Sequence, residues 1–320
     1  MPLISIIIPT YNSEKFIEKT IKSALQQTLQ DFELIVVDDC STDNTVKVIE
    51  AIADSDRRIK IFTHTTNVGI AANRNRGIEK ASGQYIAFLD HDDLWLNDKL
   101  AMQLAALEES KTAAVAYSWI DLIGEKGEYL RQHLRPKYTG YIYKKLLITN
   151  FLVTASNPLI RMKCLQLIGG FDETIYGSDD WELFIRLARD YEFILVKKCH
   201  IKYRIVQGSG TYNFRKFEEG KLRAVNKVFN QVDEPLKSLK NQALGSFYLY
   251  LSFKSLDYFS SRRDALISLR YMILSIHHDP KPWVYSNRLP KILLKLLLIL
   301  IFPSSIAKKI IDFSVQKYRG

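Results

Sequence analysis

Short apolar runs alternate with amphipathic stretches over the first part of the chain, and this alternation restricts the fold more than any other feature. Five runs rich in Ile, Val and aromatic residues are predicted to be β-strands: Leu3–Pro9, Phe32–Val37, Ile59–Phe62, Tyr85–Leu89 and Ala113–Tyr117. The stretches between them carry apolar residues at helical spacing. Strands that alternate with helices predict an α/β fold with a mostly parallel sheet and helices on both faces.

The chain is 320 residues long, which favours one large α/β domain with a smaller appended unit. Beyond about Phe214 the helical patterns continue without intervening strands. We therefore predict one domain at 1–215, with halves at about 1–120 and 121–215, and a helical carboxy-terminal region at 216–320.

Charge and cysteine content narrow the class of protein only a little. A net charge of +10 suits nucleic acid, an anionic membrane or phosphate-bearing substrates equally well, and no other feature favours nucleic acid. The three cysteines are scattered without CxxC spacing, which indicates neither a disulfide framework nor a zinc site. Because Met1–Pro9 runs directly into a predicted strand, we expect no signal peptide and a cytoplasmic protein.

Polar clusters follow three of the predicted strands, at Pro9–Asn12, Asp38–Ser41 and Asp90–Asp93. Ligands of such sheets bind beyond the carboxyl ends of the strands, so we expect these loops to share one rim. The three carboxylates in Asp90–Asp93 repel each other, which favours a bound cation, and hard oxygen ligands select Mg²⁺ or Mn²⁺. A solvated turn whose acids stabilise the start of a helix is the alternative, and the loop alone does not decide between them.

Two further acidic pairs can be interpreted in two ways. Asp38 and Asp39 stand at a strand end where one capping residue would suffice, so a second acid favours a ligand such as a base or ribose. Asp180, next to Asp179, suits a general base that takes a proton from an incoming hydroxyl. Without further context, that pair is better explained as first-turn acids that stabilise a helix.

Six segments supply that context: Ser5–Asn12, Val37–Asp43, Asn73–Gly77, Phe88–Asp93, Gly169–Asp172 and Asp179–Leu183. In this order they resemble the signature of family-two glycosyltransferases with a GT-A fold, over roughly the first two-thirds of the chain. The resemblance implies a Rossmann-like catalytic domain with a helical carboxy-terminal extension. It also implies an inverting enzyme that uses Mn²⁺ or Mg²⁺, a nucleotide-sugar donor of the UDP type and a glycan or lipid-linked acceptor.

The resemblance further implies a donor site built from seven residues: Pro9, Tyr11, Asp39, Arg74, Asp90, Asp92 and Asp93. The first three would surround the base and ribose, and Asp92 would hold the metal and diphosphate. Asp180 would be the catalytic base, with support from Asp179, which stands where glutamate is commoner in the family. Arg204 matches a Tyr-Arg pair near the diphosphate, although Val206 stands where members often have histidine.

The carboxy-terminal run Ile292–Phe302 is apolar apart from Lys295. A helix that spans a membrane needs about 20 apolar residues, so this run is too short to cross one. Together with the basic residues through 286–320, it fits a helix in the membrane interface, peripheral at the inner face of the plasma membrane. A buried helix packed on the rest of the protein explains the same pattern equally well.

Two other functions are compatible with parts of the sequence. A catalytically inactive protein that binds nucleotide sugars would not need Asp39, Asp92 and Asp180 together, yet all three are present. A sugar-phosphate nucleotidyltransferase needs a loop with glycine and lysine after its first strand, and Pro9–Asn12 lacks both. A glycosyltransferase therefore remains the leading hypothesis.

Overall fold

The computed structural model describes residues 1–206, 213–257, 262–284, 288–302 and Ile306. The chain divides into two compact units. The first comprises Met1–Leu146, Asn150–Gly210 and Arg215–Ala224, and the second comprises Leu147–Thr149, Thr211–Phe214 and Val225–Gly320. The predicted domain boundary near residue 215 stays a prediction.

The amino-terminal half of the sheet is parallel, as the alternation of strands and helices predicts. Its strands are β1 (Ile4–Thr10), β2 (Phe32–Asp38), β3 (Ile59–Thr63) and β4 (Tyr85–Phe88), in the spatial order β3-β2-β1-β4. The helices between them are α1 (Ile17–Leu25), α2 (Thr45–Ala53) and α3 (Ile70–Lys80). All three strand pairs are parallel, so their carboxyl ends meet at one edge.

The second half of the sheet is mixed. Its strands are β5 (Leu94–Trp95), β6 (Ala113–Ile123), β7 (Tyr129–Gln132), β8 (Leu159–Arg161) and β9 (Glu192–Arg204). The order continues β4-β8-β6-β9-β5, with β8 antiparallel to both neighbours, β9 parallel to β6, and β7 paired to β6. The helices here are α4 (Lys99–Glu109), α5 (Tyr143–Ile148), α6 (Met162–Ile168) and α7 (Asp179–Asp190). The predicted α/β class is confirmed, and the parallel arrangement applies to its first half.

The core lies on both faces of β1, which is buried along its whole length. On one face Ile4, Ile6 and Ile8 pack with Ile17 and Ile21 of α1 in one hydrophobic cluster. On the other face α3 approaches so closely that a Cβ at Gly77 would overlap the side chain of Ile7. Apolar residues on both faces explain why this strand has a continuous rather than an alternating apolar sequence.

The remaining elements are helices: α8 (Phe214–Gln231), α9 (Glu234–Lys237), α10 (Lys240–Asp257), α11 (Arg262–His278), α12 (Lys281–Val284) and α13 (Arg288–Ile301). This confirms the predicted helical carboxy-terminal region. One face of α13 is buried, with Ile292, Leu296 and Ile299 in a cluster that includes Trp283 of α12. Over the described ranges, no helix is long and apolar enough to cross a membrane.

Candidate active site

The predicted base and ribose residues lie at the ends of β1 and β2. The Asp39 carboxylate is only 3% exposed and accepts hydrogen bonds from the backbone N–H groups of Val68 and Gly69, at 2.7 and 2.9 Å. Gly69 has a φ of +91°, a conformation that glycine adopts without strain, and it precedes α3. Asp39 therefore fixes the loop between β3 and α3. Pro9 is buried in β1, whereas the Tyr11 ring is 44% exposed and accessible to a ligand.

Arg74 on α3 joins two of the predicted acidic segments. Its guanidinium is 4% exposed and donates to Asp90 at 2.6 Å and to Asp179 at 2.5 Å. Burial alone would lower the pKa of Arg74, but the charges of these two carboxylates raise it above its ordinary value. Burial alone would raise the pKa of Asp90. The positive charge of Arg74 outweighs this effect and holds the pKa of Asp90 below its ordinary value. Arg74 is therefore a permanent cation that positions both carboxylates.

Asp93 has a buried, structural environment. Its side chain is fully buried and accepts hydrogen bonds from the Ser156 hydroxyl at 2.6 Å and the Arg204 backbone N–H at 3.0 Å. Burial and the charges of Asp92 and Asp90 raise the pKa of Asp93 well above its ordinary value. A role of Asp93 in donor binding stays a prediction. Because its side chain is buried, Asp93 is better suited to hold the loop in place than to contact the donor.

Asp92 differs from its two acidic neighbours because its carboxylate stays available. It is partly exposed, and within the described ranges no other residue donates a hydrogen bond to it. The Arg204 guanidinium instead donates to the Asp92 backbone carbonyl at 2.7 Å, and to the carbonyls of Gly124 and Glu125. Burial raises the pKa of the Asp92 carboxyl. A single accessible carboxylate is the kind of ligand that Mg²⁺ or Mn²⁺ uses when water and substrate phosphates complete its coordination.

The second acidic pair opens α7, across the site from this loop. Asp179 is buried against Arg74, whereas Asp180 is partly exposed. The Asp180 carboxylate accepts hydrogen bonds from the Trp181 backbone N–H at 2.6 Å and from the Asn150 amide at 3.3 Å. Burial and the neighbouring charge of Asp179 raise the pKa of Asp180 to about 7. A carboxylate with this pKa is suited to accept a proton near neutral pH.

Successive contacts in the structure connect seven of the predicted residues: Arg74, Asp90, Asp92, Asp93, Asp179, Asp180 and Arg204. Pro9, Tyr11 and Asp39 lie at neighbouring strand ends, and the contacts described for them do not reach the Arg74 guanidinium. No group of three or more His, Cys, Asp and Glu side chains within the described residues could hold a metal ion alone.

Sequence reasoning missed the polar residues before β8. The Thr154 hydroxyl donates to Asp90 at 2.9 Å and to Asp93 at 3.3 Å, and the Ser156 hydroxyl oxygen accepts a hydrogen bond from the Asp90 backbone N–H at 3.0 Å. The available signal was the polar run Thr154–Asn157 between apolar residues, although the run does not show which distant acid it contacts. These hydroxyl groups keep buried carboxylates hydrogen-bonded.

Comparison with known proteins identifies the family. Residues 5–169, which are more than half of the chain, match the model of the family described as "Glycosyl transferase family 2". The chain belongs to this family. A UDP-Glc:alpha-D-GlcNAc-diphosphoundecaprenol beta-1,3-glucosyltransferase, WfgD, from Escherichia coli is 34% identical over 237 residues, covering 73% of this chain and 88% of WfgD.

Two solved structures have a similar fold. TarS 1–349 from S. aureus in complex with UDP-GlcNAc has a TM-score of 0.57 at 21% identity, over 85% of this chain and 88% of that chain. The mannosyltransferase PcManGT from Pyrobaculum calidifontis, in complex with GDP-Man and Mn²⁺, has a TM-score of 0.58 at 19% identity, over 94% and 87%. At these identities the likeness concerns the fold alone. The match with this chain covers only 32% to 51% of the length of four other curated relatives.

Proposed function

We propose that this family 2 glycosyltransferase moves one sugar from a UDP-sugar to an acceptor hydroxyl, with inversion of the anomeric centre, in the synthesis of a cell-surface polysaccharide or glycoconjugate. The observation that carries this proposal is the separation of the carboxylates into two kinds. Asp90, Asp92 and Asp93 form a dense acidic loop, whereas Asp180 stands on another element with a pKa of about 7. One displacement needs both a site for the leaving diphosphate and a separate base.

In this mechanism Asp180 takes the proton of the acceptor hydroxyl as the hydroxyl oxygen attacks the anomeric carbon. The bond to the diphosphate oxygen breaks on the opposite side of the sugar, which inverts the configuration. Arg74 keeps Asp90 and Asp179 in place, and its positive charge lies close to where the diphosphate would bind. Tyr11 offers an exposed ring for the base, and Asp39 supports the neighbouring loop.

The accessible Asp92 carboxylate is the residue that would hold Mn²⁺ or Mg²⁺, with Arg204 fixing the backbone of the same loop. The bound ion would supply positive charge to the departing diphosphate. Proteins of the same fold bind ligands of these classes, since PcManGT is in complex with GDP-Man and Mn²⁺ and TarS is in complex with UDP-GlcNAc. The name of WfgD likewise supports a UDP-sugar donor and an acceptor linked to a lipid diphosphate.

Calorimetry with UDP tests the donor site. We expect binding that depends on Mn²⁺ in the wild type and a loss of at least ten-fold in Asp92→Ala, because that variant removes the accessible carboxylate. Asp39→Ala should also weaken UDP binding, since the loop before α3 loses both of its anchoring hydrogen bonds. Exposed Asp54 at the end of α2 provides the control variant, Asp54→Ala, which should bind UDP normally. Equal affinity in all four proteins would refute the site.

We further propose that the protein binds the inner face of the plasma membrane through the region 286–320, where a lipid-linked acceptor would be found. In α13 the side chains opposite the buried face are apolar and exposed, namely Leu293, Leu294, Leu297 and Ile301. Exposed apolar residues beside a basic carboxy-terminal sequence suit an interface with anionic lipid. The buried face agrees with the interpretation of α13 as a packed helix, and the exposed apolar face supports the proposed contact with lipid.

Vesicle flotation with anionic phospholipid tests the membrane contact. The double variant Leu294→Ser and Leu297→Ser should bind vesicles roughly 10- to 100-fold more weakly, because it removes two apolar side chains from the exposed face. Deleting α13 would be a poorer test, since Ile292, Leu296 and Ile299 belong to a hydrophobic cluster. Leu167→Ser, at an exposed leucine of α6, is the control and should bind as wild type does. Unchanged binding of the double variant would contradict the proposal.

A further inference from the structure

The first half of α8 packs against the segment that leads to Asp180, within the same compact unit. A Cβ at Gly177, whose φ is +68°, would lie 2.6 Å from the Phe217 ring, and a Cβ at Gly220 would overlap the Tyr176 carbonyl oxygen. Phe217 and Gly220 are about one turn apart in α8 and lie on the same side of the helix. The close packing of Phe217 on Gly177 and of Gly220 on Tyr176 therefore fixes this part of α8 against the segment that precedes α7.

Lys221 is the next residue of α8 after Gly220, and its cationic side chain contacts Trp181. It is 8% exposed, and its Nζ lies 3.1 Å from the centre of the Trp181 ring. The ring is held in place because the Trp181 indole N–H donates to the Leu146 carbonyl at 2.8 Å. Trp181 also donates its backbone N–H to the Asp180 carboxylate. One tryptophan thus contacts both the buried amine and the proposed base.

We propose that Lys221 is a positioning residue that places an ammonium group beside Asp180 and so sets the pH range in which the Asp180 carboxylate can accept a proton. This inference rests on the role proposed above for Asp180. Lys221 adds a positive charge from α8, and the Asp180 carboxylate also interacts with the charges of Arg74, Asp179 and Asp90. Nothing in the family resemblance or the related proteins assigns a role to this lysine.

The titration behaviour agrees with this arrangement. Burial lowers the pKa of Lys221 to about 7, and the charge of Asp180 opposes that decrease. Because the pKa of Asp180 is also about 7, the two groups titrate together near neutral pH. An ammonium at Lys221 favours the ionised form of Asp180, which is the form a base needs. Removing this charge should therefore shift the ionisation of Asp180 to higher pH.

The first experiment measures this coupling without any substrate. The free energy of unfolding is determined between about pH 5 and pH 9 for wild type, Asp180→Asn, Lys221→Met and the double variant. The stability difference between Asp180→Asn and wild type grows with pH up to the pKa of Asp180 in the folded state and is constant above it, so the pH midpoint of this levelling-off reports the ionisation of Asp180. We expect that midpoint to be higher in the Lys221→Met background by roughly 0.5 to 1 unit. An unchanged midpoint would overturn the inference.

The second experiment uses hydrolysis of UDP-glucose and UDP-GlcNAc to UDP in the presence of Mn²⁺, with water in place of the acceptor. The acidic limb of the rate profile should shift to higher pH by the same amount in Lys221→Met, while UDP affinity is retained. Lys216→Met, an exposed lysine of the same helix that lies over Tyr176, should keep the wild-type profile. If Lys221→Met does not fold, Lys221→Gln replaces it in both experiments.

The two experiments separate the possible failures. Loss of hydrolysis in Asp180→Asn together with an unshifted profile in Lys221→Met would refute the role of Lys221 and leave the proposed function intact. Full hydrolysis by Asp180→Asn would refute the proposed base, and with it the role of Lys221 in catalysis. A shift of equal size in Lys216→Met would show that the effect is not specific to the buried lysine, which also overturns the inference.

Discussion

Replacing Asp180 by Asn should stabilise the protein at alkaline pH while it abolishes most of the activity. Burial and Asp179 raise the pKa of Asp180 to about 7 in the folded state, above the ordinary value of 3.8. The folded state therefore holds this proton more tightly than the unfolded chain does. Its stability decreases as pH rises from about 4 to about 7, and the full penalty is present above that range. Asparagine keeps the shape of the side chain and cannot ionise.

The magnitude follows from the two pKa values. With about 3.8 in the unfolded chain and about 7 in the folded state, ionisation of Asp180 opposes folding by about 2 kcal/mol at pH 5 and by about 4 kcal/mol at pH 8. The stability difference between Asp180→Asn and wild type should therefore grow by roughly 2 to 3 kcal/mol between these pH values. The asparagine oxygen can still accept from the Trp181 N–H, so this contact should survive.

Urea unfolding at both pH values without added metal measures this difference, and Asp54→Asn serves as a control whose effect should be small at either pH. Hydrolysis of UDP-glucose or UDP-GlcNAc by Asp180→Asn should fall by about 10²–10⁴-fold, with little change in UDP affinity. The configuration of a transfer product, measured by NMR, should be inverted. A stability difference that does not depend on pH, activity close to wild type, or a retained configuration would refute the reasoning.

Two further substitutions test how the site is supported. Thr154→Val removes the hydroxyl that contacts both Asp90 and Asp93, and should lower the free energy of unfolding in urea by about 1 to 3 kcal/mol, whereas Thr42→Val at an exposed loop position should cost less. Gly77→Ala should destabilise the protein by about 1 to 3 kcal/mol in the same assay, because its Cβ would overlap Ile7, and a wild-type midpoint would contradict the close packing of α3 on β1.

The sequence by itself determined the fold class and the location of most acidic groups. Continuous apolar segments such as Ile4–Thr10 form buried strands because both faces of the sheet are covered, and this requirement is visible in the local sequence. The apolar residues Ile17, Ile21 and Ala24 likewise stand at helical spacing, and all three are buried in α1. The resemblance to family 2 depended on short segments in a fixed order, and the match over residues 5–169 confirms it.

The mixed half of the sheet could not be predicted in this way. The strand β8 contains only Leu159–Arg161, too short to show a period, yet it joins β4 to β6. Its position depends on pairing with strands more than 35 residues away in the chain, such as Ala116 opposite Leu159. Strand pairing of this kind leaves no pattern in the local sequence, because the paired strands are neighbours in space but distant along the chain.

Only the tertiary structure decided which acidic residue has which environment. Asp92 and Asp93 are adjacent in the sequence. The Asp93 side chain is buried and hydrogen-bonded to Ser156 and the Arg204 backbone, whereas the Asp92 side chain remains accessible. Arg74 meets Asp179 across 105 residues of chain, and α8 brings Lys221 to Trp181. Burial and nearby charge set the pKa of a carboxylate, and both come from segments that are distant in sequence, so residue type and spacing alone leave the chemistry of each acid undetermined.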